Sequence, residues 1–301
     1  MDKRFQLKED IMRIGQLRRA FSERGAVYGR IQVHTTLFIC AGQFVAYSQD
    51  TVSIFLLGGQ SNMLGQGNPG EISPPLSETQ EDILFLENSN GNYAWGPMTP
   101  YFGKEDECFG PELKFSRIIA DTRPDRTVAI VKHTEKPLTL AEGWNVETNG
   151  STYLGMIAKV RGGMELLDAI GRPYVVAGML WFQGEYDAVE QWMAQAYEQN
   201  LNNLIAGVRN EFSVPGMPFV IGQIYDIPLD QFPYTQEVQD AQDAVAESDP
   251  LTGILHTTDL PIGNDNIHFK TEGQLAIGQR FATVYLSLIG ENTVAVDTDR
   301  A

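Results

Sequence analysis

The stretch Ile54-Phe55-Leu56-Leu57-Gly58-Gly59-Gln60-Ser61-Asn62-Met63-Leu64-Gly65-Gln66-Gly67 decides the fold. Its first residues continue an apolar run from Val52, the pattern of a strand buried on both faces. Gly58-Gly59 then permits a sharp turn, and Ser61 follows at once. Open α/β sheets place their ligands beyond the carboxyl ends of their strands, which makes Ser61 a candidate nucleophile. The same turn equally suits Ser61 or Asn62 as a cap for the next helix. The spacing is not that of a G-x-S-x-G nucleophile elbow, because Met63 stands where the second glycine belongs.

Outward from this turn, apolar strands alternate with amphipathic helices. Strands are expected at Asp82–Leu86, Thr127–Lys132, Tyr174–Phe182, Pro218–Ile224 and Gly253–Thr257. Helices are expected at Leu113–Asp121, Tyr153–Ile170, Ala188–Phe212, Tyr234–Glu247 and Thr271–Leu288, the first opened by Gly110-Pro111-Glu112 with proline in its first turn. Gly65–Thr79, Tyr93–Gly110 and Glu135–Gly150 read as loops. The alternation predicts a parallel sheet covered on both faces. It also predicts one domain over residues 51–290, with an extension at 1–50 and a tail at 291–301.

The 301 residues carry a formal net charge of −17, which argues against nucleic acid or an anionic membrane as partner. Residues 1–30 are net +4, leaving −21 on the remainder. No apolar run reaches transmembrane length. Thr36–Ala46 is apolar, follows a basic stretch and precedes Ala46-Tyr47-Ser48, the arrangement of an export signal cleaved after Ser48. Arg18-Arg19-Ala20-Phe21 adds a twin-arginine pattern. The alternative is a cytoplasmic protein with a disordered or helical extension. Cys40 and Cys108 cannot build a disulfide framework or a cysteine-rich metal site.

An activated serine needs a base, and the base needs an orienting group. Four histidines are available. His34 lies in the extension, and His133 ends the second core strand. His256 is followed by Asp259. His268 is preceded by Asp265, in a Gly/Asn-rich loop before the last helix, so one loop supplies both base and orienter. The His268–Asp265 pair is preferred, with His256–Asp259 as its rival. Trp181-Phe182-Gln183-Gly184-Glu185-Tyr186-Asp187 closes the third apolar strand, at the sheet edge expected for Ser61. An amide there can donate to a developing oxyanion. Asp187 reads as a solvated acid at the head of a helix, where the dipole favours it. Glu185 is either a similar acid or a brace for the serine or histidine loop.

Taken together, Gly59-Gln60-Ser61-Asn62-Met63, Gly110-Pro111-Glu112, Trp181-Phe182-Gln183-Gly184-Glu185 and Asp265-Asn266-Ile267-His268 resemble the ordered blocks of SGNH hydrolases. More closely than the wider superfamily, the chain resembles the sialate O-acetylesterase-like and acetylxylan-esterase carbohydrate esterases, over about residues 51–289. The resemblance implies a three-layer α/β/α sandwich whose parallel sheet has about five strands. It implies Ser61 as nucleophile, His268 as base and Asp265 as orienter. It implies an oxyanion hole from the backbone N–H groups of Ser61 and Gly110 with the Gln183 amide; Gln60, Asn62 and Glu185 are possible supporting residues. No metal or organic cofactor is implied, and the implied partner is an acetylated carbohydrate. A non-catalytic carbohydrate binder and a lipase or thioesterase remain as alternatives. Two departures from the resemblance, Tyr186 and Glu135-Lys136-Pro137-Leu138-Thr139, fall where substrate should lie. Aromatics of Tyr93–Phe109, with Trp144, are candidates for stacking on a sugar.

Overall fold

The computed structural model describes residues 51–89, 91–103, 107–134, 139–227 and 230–291. Residues 1–50, on which the expected export signal falls, residues 292–301 of the tail, and Glu135–Leu138 lie outside the described residues.

A seven-stranded sheet runs in the order β3-β2-β4-β1-β5-β6-β7. The strands are β1 Val52–Gly59, β2 Gln80–Ser89, β3 Asn92–Met98, β4 Thr127–His133, β5 Tyr174–Phe182, β6 Phe219–Gly222 and β7 Thr252–Leu255. All neighbours pair in parallel except β2 and β3, which form an antiparallel hairpin at one edge. The helices are α1 Ser61–Leu64, α2 Glu112–Thr122, α3 Ser151–Asp168, α4 Gln191–Glu211, α5 Thr235–Ser248 and α6 Thr271–Leu288.

Strand β1 shows why its sequence is apolar throughout. Ile54 and Leu56 point into the core shared with α3, α4 and α5, whereas Phe55 and Leu57 point into the core shared with α2 and α6. All four are buried, and each such side chain contributes about 1.5–3 kcal/mol relative to exposure. Helices on both faces complete the three-layer sandwich.

The sheet is wider than the expected five strands. Six strands are parallel, and β3 lies in a stretch expected to be loop. Gly96 and Pro97 were the misleading signals, but proline is tolerated on an edge strand. Trp95 anchors this strand, buried, with its indole N–H donating to the Gly163 carbonyl at 2.9 Å.

The register sets where the chemistry lies. Gly58 is level with His133 of β4 and Trp181 of β5, and Gly59 with Phe182. Ser61 therefore emerges at the carboxyl edge between two long neighbours. Gly59 has φ +154°, and a Cβ there would lie 2.2 Å from the Phe182 carbonyl oxygen, so only glycine brings the two strand ends this close.

Candidate active site

Ser61 is the first residue of α1, half-buried, in a turn pinned on both sides. The Gln60 N–H donates to the Phe182 carbonyl at 3.1 Å, and the Gln60 side-chain oxygen accepts from the Gly184 N–H at 3.3 Å. On the other flank, Gly65 approaches Gly110 so closely that a Cβ would lie 2.1 Å from the Gly110 Cα.

Asn62 is buried and makes the decisive connection. Its amide nitrogen donates to Glu185 Oε1 at 2.7 Å and to the Ile267 carbonyl at 3.0 Å. Its amide oxygen accepts from the Phe269 N–H at 3.2 Å. Ile267 and Phe269 flank His268, so the residue next to Ser61 grips the chain on both sides of the histidine.

Within that loop, Asp265 Oδ2 lies 2.8 Å from His268 Nδ1. Asp265 Oδ1 accepts from the N–H groups of Ile267 at 3.0 Å and His268 at 2.9 Å. Partial burial would raise the Asp265 pKa, but these N–H donors and the His268 ring outweigh it and pull it down to about 2. An ionised Asp265 accepts the Nδ1 proton, which leaves Nε2 as the basic nitrogen of a neutral ring. The imidazole is about a quarter exposed.

The rival pair does not form. His256 Nδ1 meets Gln223 Oε1 at 2.8 Å, and Asp259 is held by both terminal nitrogens of Arg280 at 2.7 and 2.6 Å. His133 is buried, its ring edge-on to Trp144 at 5.7 Å. Trp144 is also fully buried, between His133 and Trp181, so it cannot stack on a sugar as the sequence suggested.

Three expectations change around the third and second motifs. Asp187 is not solvated: it is fully buried and accepts from the N–H groups of Leu140 at 2.9 Å and Ala141 at 3.0 Å, and from Gln183 Nε2 at 2.5 Å. Burial raises its pKa to about 6 against the pull of those donors. Gln183 is itself buried in this cluster, with Tyr197 donating to its side-chain oxygen at 3.2 Å and to its carbonyl at 2.7 Å. One amide hydrogen of Gln183 is thus committed to Asp187. The Gly110 N–H donates to Glu112 Oε1 at 2.8 Å, so it is engaged by a carboxylate rather than presented to an oxyanion. Glu112 is fully buried because Lys132 Nζ meets its other oxygen at 2.9 Å and also donates to the Leu64 carbonyl at 2.8 Å. Sequence spacing hinted at this bond, since an acid in a helix's first turn can reach back to an N–H just before it.

Glu185 is a brace. It is buried, and burial raises its pKa to about 7, opposed by backbone and Asn62 hydrogen bonds and reinforced by Asp187.

A protein family described as carbohydrate esterase, sialic acid-specific acetylesterase, matches residues 51–287. The chain belongs to this family of carbohydrate esterases. It is accordingly a carboxylic ester hydrolase. A probable carbohydrate esterase of Arabidopsis thaliana is 24% identical over 262 residues, covering 78% of this chain and 90% of the relative. The crystal structure of an Arabidopsis thaliana protein is similar with a TM-score of 0.64 at 23% identity, covering 78% of this chain and 98% of that one. The structure titled NanS gives 0.62 at 14% identity, covering 81% and 99%. A carbohydrate acetylesterase from Xanthomonas citri gives 0.59 at 19% identity, covering 79% of this chain and 57% of that one. At these identities the structural likenesses speak for the fold.

Proposed function

We propose that this esterase removes O-acetyl groups from a carbohydrate through a Ser61–His268–Asp265 triad. The observation that carries the proposal is the grip of Asn62 on both neighbours of His268, which ties the Asp265–His268 pair to the residue after Ser61. His268 Nε2 takes the Ser61 hydroxyl proton as Oγ attacks the acetyl carbonyl. The tetrahedral intermediate collapses as His268 protonates the departing sugar hydroxyl. Water, activated by the same imidazole, then releases acetate from the acetyl-serine.

Two donors suit the oxyanion. The Ser61 N–H heads a helical turn, where the first N–H groups have no intrahelical partner. The second Gln183 amide hydrogen remains after the bond to Asp187, which fixes the orientation of the carboxamide. Gly110 contributes packing against the turn instead of its N–H.

A panel of O-acetylated glycans scored for acetate release tests the function. Release from at least one, lost in Ser61→Ala, is the expected result. We also propose export of the chain with cleavage after Ser48, on the strength of Thr36–Ser48. Intact-mass measurement on protein from its native host should then give a chain starting at Gln49.

A further inference from the structure

Tyr186, one of the two departures from the resemblance, is 48% exposed. Val189 is 37% and Trp192 53% exposed, whereas Trp95, Trp144 and Trp181 are at most 4% exposed. These three exposed apolar side chains follow directly on Glu185, which bonds to Asn62 beside Ser61. They recur every three residues along a segment that winds in single turns, Val189 N–H to the Tyr186 carbonyl at 3.4 Å and Met193 N–H to the Glu190 carbonyl at 3.0 Å. Extended Glu190 (φ −120°, ψ 130°) separates the two turns, and Trp192 stands in the first turn of α4.

The segment is fixed from beneath. Asp187 is buried on the 140–141 backbone, and the Tyr234 N–H donates to the Ala188 carbonyl at 3.1 Å. Exposed aromatics on so firmly held a backbone are presented at little entropic cost on binding. Residues 173–208 contain no lysine or arginine. This stretch offers no cation to a sugar carboxylate, a phosphate or an anionic headgroup. Aromatic faces with a negative quadrupole attract the C–H faces of a neutral pyranose, and Glu190 and Gln191 beside them can accept from its hydroxyls.

We propose that Tyr186, Val189 and Trp192 form a platform for the sugar rings of a neutral acetylated glycan, the alcohol side of the ester. The proposal rests on the esterase reading above and adds a glycan subsite to it.

The test compares wild type, Tyr186→Ala, Trp192→Ala and the double variant on 4-nitrophenyl acetate and on acetylated xylo-oligosaccharide. Val175→Ala, exposed at the opposite sheet edge, is the control. The ratio of kcat/KM for glycan over aryl ester should fall about tenfold or more in the double variant, chiefly through the glycan KM. Trp192→Phe should retain more of the ratio than Trp192→Ala. A ratio unchanged in the double variant overturns the platform. Acrylamide quenching reads it without turnover, because Trp192 is the exposed member of the four tryptophans. Millimolar xylo-oligosaccharide should shield the tryptophan emission of Ser61→Ala; no shielding overturns the proposal. If wild type hydrolyses neither substrate, the esterase reading fails, and the quenching result still decides the platform. A dimer in light scattering that Trp192→Ala dissociates would assign the patch to a second copy of the chain and overturn it.

Discussion

Asn62 and Glu185 meet at 2.7 Å across 123 positions of sequence, so the residue after Ser61 is fastened to the end of the third motif. The same Asn62 amide fastens the loop that carries His268. Serine turn, strand β5 and histidine loop are therefore one hydrogen-bonded unit rather than three adjacent loops.

Removing that fastener should misplace the base without removing it. Asn62→Ala leaves the Ile267 carbonyl, the Phe269 N–H and Glu185 Oε1 short of a partner, at about 1–3 kcal/mol. A displacement of the imidazole on the order of 1 Å would lower kcat roughly 10²-fold. Thermal denaturation and steady-state kinetics on one preparation read both. A variant with wild-type kcat would detach Asn62 from histidine placement.

The choice of histidine has a direct check. His268→Ala should reduce turnover nearly as far as loss of the nucleophile, and Asp265→Asn by roughly 10²–10⁴-fold through the wrong ring tautomer. His256→Ala should retain most of its turnover, because its partners are Gln223 and, through its carbonyl, Arg280. An inactive His256→Ala with an active His268→Ala would move the base to the other loop.

Gln183→Ala should now affect two observables. The lost oxyanion donor should cut kcat by about 10²–10³-fold. Because Gln183 also bonds to Asp187 and Tyr197 in a buried cluster, stability should drop by about 2–3 kcal/mol as well. A loss of stability with kcat intact would leave Gln183 as part of the scaffold alone.

Glu185 gives a pH signature. Its folded pKa, about 7, lies above the ordinary carboxylate value, so the folded state holds a proton that the unfolded chain has released. Between pH 4.5 and 7 the folded protein thus binds more protons than the unfolded one, and stability falls as pH rises. The shift corresponds to ~3 kcal/mol across that window. Glu185→Gln should keep the acceptor for Asn62 and flatten the decline; melting temperatures from pH 4.5 to 8 measure it. An unchanged slope would mean that Glu185 is ionised throughout.

The sequence carried the central strands and the Asp265–His268 loop because both are local patterns. An apolar run such as Val52–Leu57 has to be buried on both faces, and Asp265 reaches His268 within one turn. What escaped were roles fixed by distant partners. Asp187 looked like a solvated helix-head acid; it is buried because two N–H groups from residues 140 and 141 come to it. Trp144 looked available to a sugar, but its place is set by Trp181 and His133 from other strands. The Gly110 N–H was claimed by Glu112, whose burial depends on Lys132 from β4. Strand β3 was hidden by Gly96 and Pro97, which mark turns in isolation and an edge strand beside β2.

The most direct measurement is acetate release from an O-acetylated glycan by wild type and Ser61→Ala, with far-UV circular dichroism to confirm equal folding. Wild type should release acetate, and Ser61→Ala should be slower by about 10⁴-fold or more at unchanged fold. Equal rates from the two proteins would contradict Ser61 as the nucleophile and the acetyl-serine route with it.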